Sequence, residues 1–140
     1  MYSIADADPT PPAIDLLTGS ARLAAELGGT GRVGAAHIPP YPRLRVRPTP
    51  GGSENLQTGE MRVLLKLEAL DSVEAPVGEF QLRRILYVAV EELTALPARP
   101  HEDGQVVITE VESSAGGGPV PEADGRGRYV GTVAIHCHPG

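Results

Sequence analysis

The residues best suited to chemistry are few and poorly placed for it. His136-Cys137-His138 has the side chains of a metal site. On a strand, however, successive side chains point to opposite faces, so His136 and His138 share a side while Cys137 faces away. At most two ligands converge there, whereas a structural zinc needs four and a catalytic one three. His37 or His101 would have to complete the set, and nothing in the sequence brings either close. The expectation is a core-facing Cys137, a solvated C-terminal end and no metal.

The carboxylates supply no acid–base couple either. Glu91 and Glu92 diverge as neighbours on a helix, and Glu110 and Glu112 share the polar side of a strand. No serine stands in a Gly-x-Ser-x-Gly elbow, and no phosphate loop ends in Gly-Lys-Ser/Thr. Gly116-Gly117-Gly118 is followed by no lysine and opens no helix, so it reads as a loop. His101-Glu102-Asp103 is the best support for a ligand site on a loop, but between Pro100 and Gly104 it is also ordinary turn composition. No catalytic residue, cofactor-binding residue or metal ligand is assigned. The chain is read as a non-enzyme without a cofactor.

One surface feature is informative. Arg43, Arg45 and Arg47 alternate with Leu44 and Val46. On a strand this puts three guanidinium groups in a row about 13 Å long at roughly 3.3 Å per residue. Either they pair with Glu60, Glu68 or other carboxylates of a neighbouring strand, or they form an interface for an acidic partner.

The elements that must position these residues follow from periodicity. Met1–Pro12, with three prolines, reads as a flexible arm and lacks the basic start and apolar run of an export signal. Ile14, Leu17, Ala21, Ala24 and Leu27 recur at helical spacing and predict one helix over 13–27, weakened by Gly19 and stopped by Gly28-Gly29. A short strand or extended segment is predicted over 32–38 and strands over 41–47 and 61–69, with 48–59 as turn between the last two. Leu82, Ile85, Leu86, Ala89, Val90, Leu93 and Leu96 define a second helix over 79–96. Two strands follow, 105–112 and 128–138. Between them Ser113–Gly127, with five glycines and two prolines, reads as a long mobile loop. Gly117, Val120 and Glu122 in that loop are candidate contacts to another subunit, alongside the arginine row.

Grouped strands argue for an α+β fold in a single domain over 13–140: a mainly antiparallel sheet of about four strands with two helices packed on one face. At 140 residues, with 41% hydrophobic residues, the chain can build one core. A net charge of −6 repels phosphate and anionic lipid unless the charges segregate on one face. Four Tyr, one Phe and no Trp leave little to stack on bases. A single cysteine excludes disulfide scaffolds, and no apolar run is long enough to span a membrane.

The order of elements resembles a known family. Val33-Gly-Ala-Ala-His-Ile-Pro-Pro-Tyr-Pro-Arg-Leu-Arg-Val-Arg47, then Val63-Leu-Leu-Lys-Leu-Glu-Ala-Leu70, the helix to Leu96 and the closing Tyr129-Val-Gly-Thr-Val-Ala-Ile135 are similar to the tail terminator proteins of long-tailed phages. The resemblance covers about residues 13–138, and the proline-rich arm and the loop at 113–127 depart from it. It implies a structural virion protein located in the neck region of the tail and assembled in the host cytoplasm. Such proteins form a homo-oligomeric ring, typically a hexamer, on the head-proximal end of the tail tube. The ring ends elongation and presents the joining surface for the head connector or a head-completion protein. The implied partners are therefore the chain itself, the tail tube protein and the connector, with duplex DNA passing through unbound and no membrane involved. Two alternatives stay open: another neck or head-completion protein, and a small cytoplasmic α+β ligand-binding domain or enzyme.

Overall fold

Ser20 decides how the first helical stretch is built. Its side-chain oxygen accepts a hydrogen bond from the Leu23 amide at 3.1 Å, which caps a new helix. The helix predicted over 13–27 is therefore two, α1 (Thr10–Thr18) and α2 (Ala21–Leu27), separated at Gly19-Ser20. Gly28, at φ +84°, ends α2 in the left-handed region open to glycine. α1 also starts earlier than predicted. Pro11 and Pro12 fall in its first turn, where a missing N–H costs nothing, so they promote the helix and do not block it. The computed structural model describes residues 3–101 and 104–140. Within the segment assigned to the arm, Ile4–Asp6 forms a 3₁₀ turn and Ala7 is buried in the core.

Among the described residues the sheet has five strands in the order β1-β2-β3-β5-β4, against about four expected, the short segment after Arg32 being the fifth. These are β1 (Val33–Gly34), β2 (Arg43–Glu54), β3 (Met61–Leu70), β4 (Val107–Pro119) and β5 (Arg128–His138). Every pairing is antiparallel except the short β1–β2 contact, Val33 to Leu44 and Gly34 to Arg45. The short strand or extended segment predicted over 32–38 contracts to these two residues, and side chains take the carbonyls on either side of them. Arg43 bonds to those of Gly31 and Ala36, and Arg45 to that of Ala35.

Two turns predicted to be long are short. β2 runs on through Pro48 and Pro50 to Glu54, which proline allows on an edge that β1 leaves unpaired beyond Arg45. A register shift between Thr49 and Ser53 absorbs Gly51-Gly52, and the reversal is confined to Asn55–Gly59. Likewise β4 continues to Pro119, leaving only 120–127 as a turn. Gly117 explains this extension. Its amide donates to the Tyr87 hydroxyl at 2.9 Å, and a Cβ there would lie 2.6 Å from Leu86 Cδ2 and 2.8 Å from Tyr129 Cε1. The glycine run therefore lies against the body as strand, and not as the mobile excursion expected.

α3 (Glu79–Leu93) begins where predicted but stops three residues short of Leu96, where Pro97 tips the chain into a 3₁₀ turn over Leu96–Ala98. Asp71 organises its approach. That buried carboxylate accepts the amides of Ser72, Val77 and Gly78 at 2.8, 2.9 and 3.2 Å. The three helices pack on one face of the sheet. Leu82, Ile85, Leu86, Ala89 and Leu93 share a core with Leu44, Val46, Leu65, Leu67, Val133 and Ile135. Cys137 joins that core as expected, and burial, with Asp8 nearby, pushes its thiol up to about 11. The result is a mixed α+β domain with three helices where two were expected. Among the described residues no helix is long and apolar enough to cross a membrane.

Candidate functional site

The face of the sheet turned away from the helices carries most of the polar strand residues in register. Across it run Arg45, Glu68 and Val130, then Arg47, Lys66 and Thr132, then Thr49, Leu64 and Ala134. Arg43, Arg45 and Arg47 all lie on this face, as alternation predicted, but they do not form a solvated row. Arg43 is only 6% exposed: its Nε donates to the Ala36 carbonyl at 2.7 Å and its Nη1 to that of Gly31 at 3.2 Å. Arg45 donates to Ala35 at 3.1 Å and remains partly open to solvent. Arg47 donates to Glu68 Oε1 at 2.7 Å.

Glu68 is the hub of this face and is fully buried. Its second oxygen accepts from Arg128 Nη1 at 3.2 Å, so one carboxylate joins β2, β3 and β5. Burial alone would raise its pKa. The hydrogen bond and charge of Arg47, with the charges of Lys66 and Arg45, outweigh burial and hold the carboxyl below its ordinary value. The pairing with a strand neighbour, one of the two outcomes left open by the sequence, is therefore realised for Arg47.

At the Leu70–Arg128 end of the face, the loop before β2 meets the β4–β5 turn. Glu122 Oε1 accepts from His37 Nε2 at 2.7 Å, while His37 Nδ1 lies 2.7 Å from the Tyr41 hydroxyl. The Arg126 guanidinium stacks over the Tyr41 ring at 4.1 Å and donates to the Asp71 carbonyl at 2.6 Å. Val120 is half exposed, but its backbone is held on both sides by Arg128. Of the loop residues singled out by sequence, Gly117 thus packs inward, Glu122 closes the turn, and Val120 alone offers its side chain outward. Replacing Glu122 by Ala should release this turn and raise tryptic cleavage at Arg126 roughly five- to tenfold, as expected for loss of about 1 kcal/mol of local closure. Mass spectrometry of timed digests reads this directly, and an unchanged rate would assign the closure to the Glu122–Arg126 backbone bonds alone.

The remaining candidates stay apart. His136 bonds to Glu112 at 2.9 Å, beside Arg62, and hydrogen bonds from both hold the Glu112 carboxyl below its ordinary value. His138 bonds to the Pro139 carbonyl at 2.8 Å. Among the described residues no three metal-ligating side chains converge. His101 borders a cleft of about 510 Å³ together with Asp6, Asp8, Asp15 and Arg99, where Arg99 is held by the Pro12 carbonyl. The Glu102 and Asp103 that accompanied it in the sequence reading lie outside the described residues.

Sequence reasoning missed two features of the molecule's polar and exposed groups. One is the burial of Glu68, which alternation places on the polar face without saying what covers it. The other is Phe80, 90% exposed at the start of α3. Its signal was present, since Phe80 falls off the stripe formed by Leu82, Ile85, Leu86, Ala89 and Leu93.

No protein-family model and no curated protein sequence matches the chain. Its fold does have a counterpart. A chain of the virion of a native gene transfer agent (GTA) particle superposes with a TM-score of 0.70 over 100% of both chains, at 16% sequence identity. At that identity the likeness is one of fold, over the full length of both chains.

Proposed function

We propose that the chain is a structural component of a phage-like particle and, more specifically, a tail terminator. In this role it forms a ring, of six subunits in the type the sequence resembles, on the head-proximal end of the tail tube. It ends tube growth and offers the joining surface for the head connector or a head-completion protein. The observation that carries the virion reading is the end-to-end match of fold to a chain of a virion particle. The sequence resemblance over about residues 13–138 supports the finer assignment.

The chemistry of the surface is consistent with assembly work. Its strongest polar groups are spent in holding strands and loops together: Glu68 on Arg47 and Arg128, Glu122 on His37, Asp71 on the start of α3. A rigid sheet with short, tied turns suits a part that must present the same faces in every subunit. With −6 per chain, a ring of copies repels a passing DNA backbone and does not grip it. The test is tube polymerisation followed by light scattering with the tail-tube protein of the same particle. Substoichiometric amounts of this chain should arrest elongation, and growth that continues unchanged at molar excess would overturn the terminator assignment.

A further inference from the structure

An apolar patch on one side of the molecule matches a basic face on the other. Phe80, the chain's single phenylalanine, is 90% exposed, and Val73 and Val77 beside it in the chain are 61% and 42% exposed. Glu74 and Glu79 lie within the same short stretch. Both are exposed and, among the described residues, neither makes an ion pair or side-chain hydrogen bond. Water-exposed aromatic and branched side chains so close together mark a contact surface. The adjoining carboxylates specify that whatever covers the patch is cationic.

The open sheet face has that character. Arg45, Arg47, Lys66 and Arg128 gather around Glu68, which is already shared by Arg47 and Arg128; Glu110 and Glu112 also lie on this face, toward β4, and Glu112 is taken by Arg62 and His136. Lys66 makes no hydrogen bond or ion pair among the described residues, and Arg45 has a single carbonyl partner. In the row next to Lys66, Leu64, only partly buried, lies between Thr49 and Ala134 and gives the face an apolar position. In a chain of net charge −6, this concentration of cations on one face is the segregation that electrostatic docking needs.

We infer that the Val73–Phe80 patch of one copy docks on the Leu64–Lys66 sheet face of the next copy. This deepens the ring reading and rests on it. Because α3 packs on the opposite side of the sheet from that face, the contact joins unlike surfaces. Such head-to-tail contacts close into rings or extend as filaments and do not stop at symmetric dimers. Phe80 is the anchor, and Glu74 facing Lys66 or Arg45 sets orientation and association rate.

The test uses the full chain and sedimentation velocity across a concentration series. Phe80→Asp should weaken self-association at least ~10-fold without unfolding the chain, since the ring is already in water. Lys66→Glu and Glu74→Lys should each weaken it roughly three- to tenfold, and the double charge swap should restore most of the loss. Each of Phe80→Asp and Lys66→Glu keeps one intact surface, so an equimolar mixture of the two should stop at a one-to-one dimer. Wild-type association in all three single variants, or a wild-type chain that stays monomeric, would overturn the contact. Binding of a labelled DNA duplex that Lys66→Glu abolishes, with self-association unchanged, would assign the face to nucleic acid and overturn it equally. Arrest of tube growth, measured in parallel, separates the two readings: arrest by Phe80→Asp as efficient as by wild type removes this contact and leaves the terminator role standing.

Discussion

Leu86→Asp should leave the chain largely unfolded at room temperature. Leu86 is fully buried on α3, against the strand positions where Gly117 and Gly131 leave room for it. A Cβ at Gly131 would lie 3.1 Å from its Cδ2, so no space exists for a carboxylate to gather water. The substitution removes an isobutyl group from the core, a loss of roughly 2–5 kcal/mol by itself. It also buries an unpaired acid, which adds several kcal/mol unless the group stays protonated. A domain of this size has on the order of 5–15 kcal/mol of total stability, so the sum is a large part of the whole. Circular dichroism on heating should show no cooperative transition above ambient temperature. A melting curve matching wild type would mean that α3 does not present Leu86 to the sheet. Phe80→Asp on the same helix is the internal contrast, since its ring is 90% exposed and its melting point should barely move.

Glu68→Gln should cost about 2 kcal/mol near neutral pH, and that cost should disappear in acid. Glutamine keeps the shape but loses the charge that Arg47 and Arg128 share. The cost stays moderate because both guanidinium groups reach solvent at 39% and 22% and can turn outward. The pH dependence follows from the direction of the shift. Against the burial that raises it, Arg47, Lys66 and Arg45 hold the folded carboxyl below the ordinary 4.5. The unfolded chain therefore binds this proton first, and the stability contributed by Glu68 is fully present above that value. It is lost as the pH falls through the lowered folded value, where wild type must protonate Glu68 in place. The wild-type and Gln melting points should converge below pH 4.5. Glu26, held down by hydrogen bonds from Arg84 and Gln81, loses stability over the same window, so the difference between the two proteins isolates Glu68. A gap that persisted unchanged to pH 2 would mean that the charge does not do the holding.

Both residues show what periodicity reveals. Leu86 was legible because its helix has one continuous apolar face, and a face of that kind has only one use. β5 was legible to the residue, since Tyr129, Val133, Ile135 and Cys137 alternate without interruption. The failures lie where small residues and prolines carry no pattern of their own. Ser-Ser-Ala-Gly-Gly-Gly has nothing to bury and reads as loop. It is strand because β5 supplies a ladder and Tyr87 supplies an acceptor for the Gly117 amide. Pro48 and Pro50 read as turn, and sit in β2 because that edge is free. Gly19 signalled weakness in a helix, while the break itself came from Ser20 and its cap on Leu23.

The surface was legible in type and not in partner. Alternation placed Arg43, Arg45 and Arg47 on one side of β2, and that is where they are. It could not show that Arg43 turns back to the carbonyls of a loop seven and twelve residues earlier. Nor could it show that His37 and Glu122, 85 residues apart, close on each other. Such contacts depend on which loops meet at one end of the sheet, and that is set by strand order. Phe80 left a signal in falling off its helix stripe, whereas Lys66 opposite Arg47 follows only from the strand register.

Whether the chain caps tails is read by electron microscopy of negatively stained tail tubes assembled with and without the purified chain. A tail terminator leaves a ring of density at one end of each tube, on the end where the head joins, and tubes of arrested length. Tubes that bear no terminal density and grow to the same lengths in its presence would contradict the terminator role.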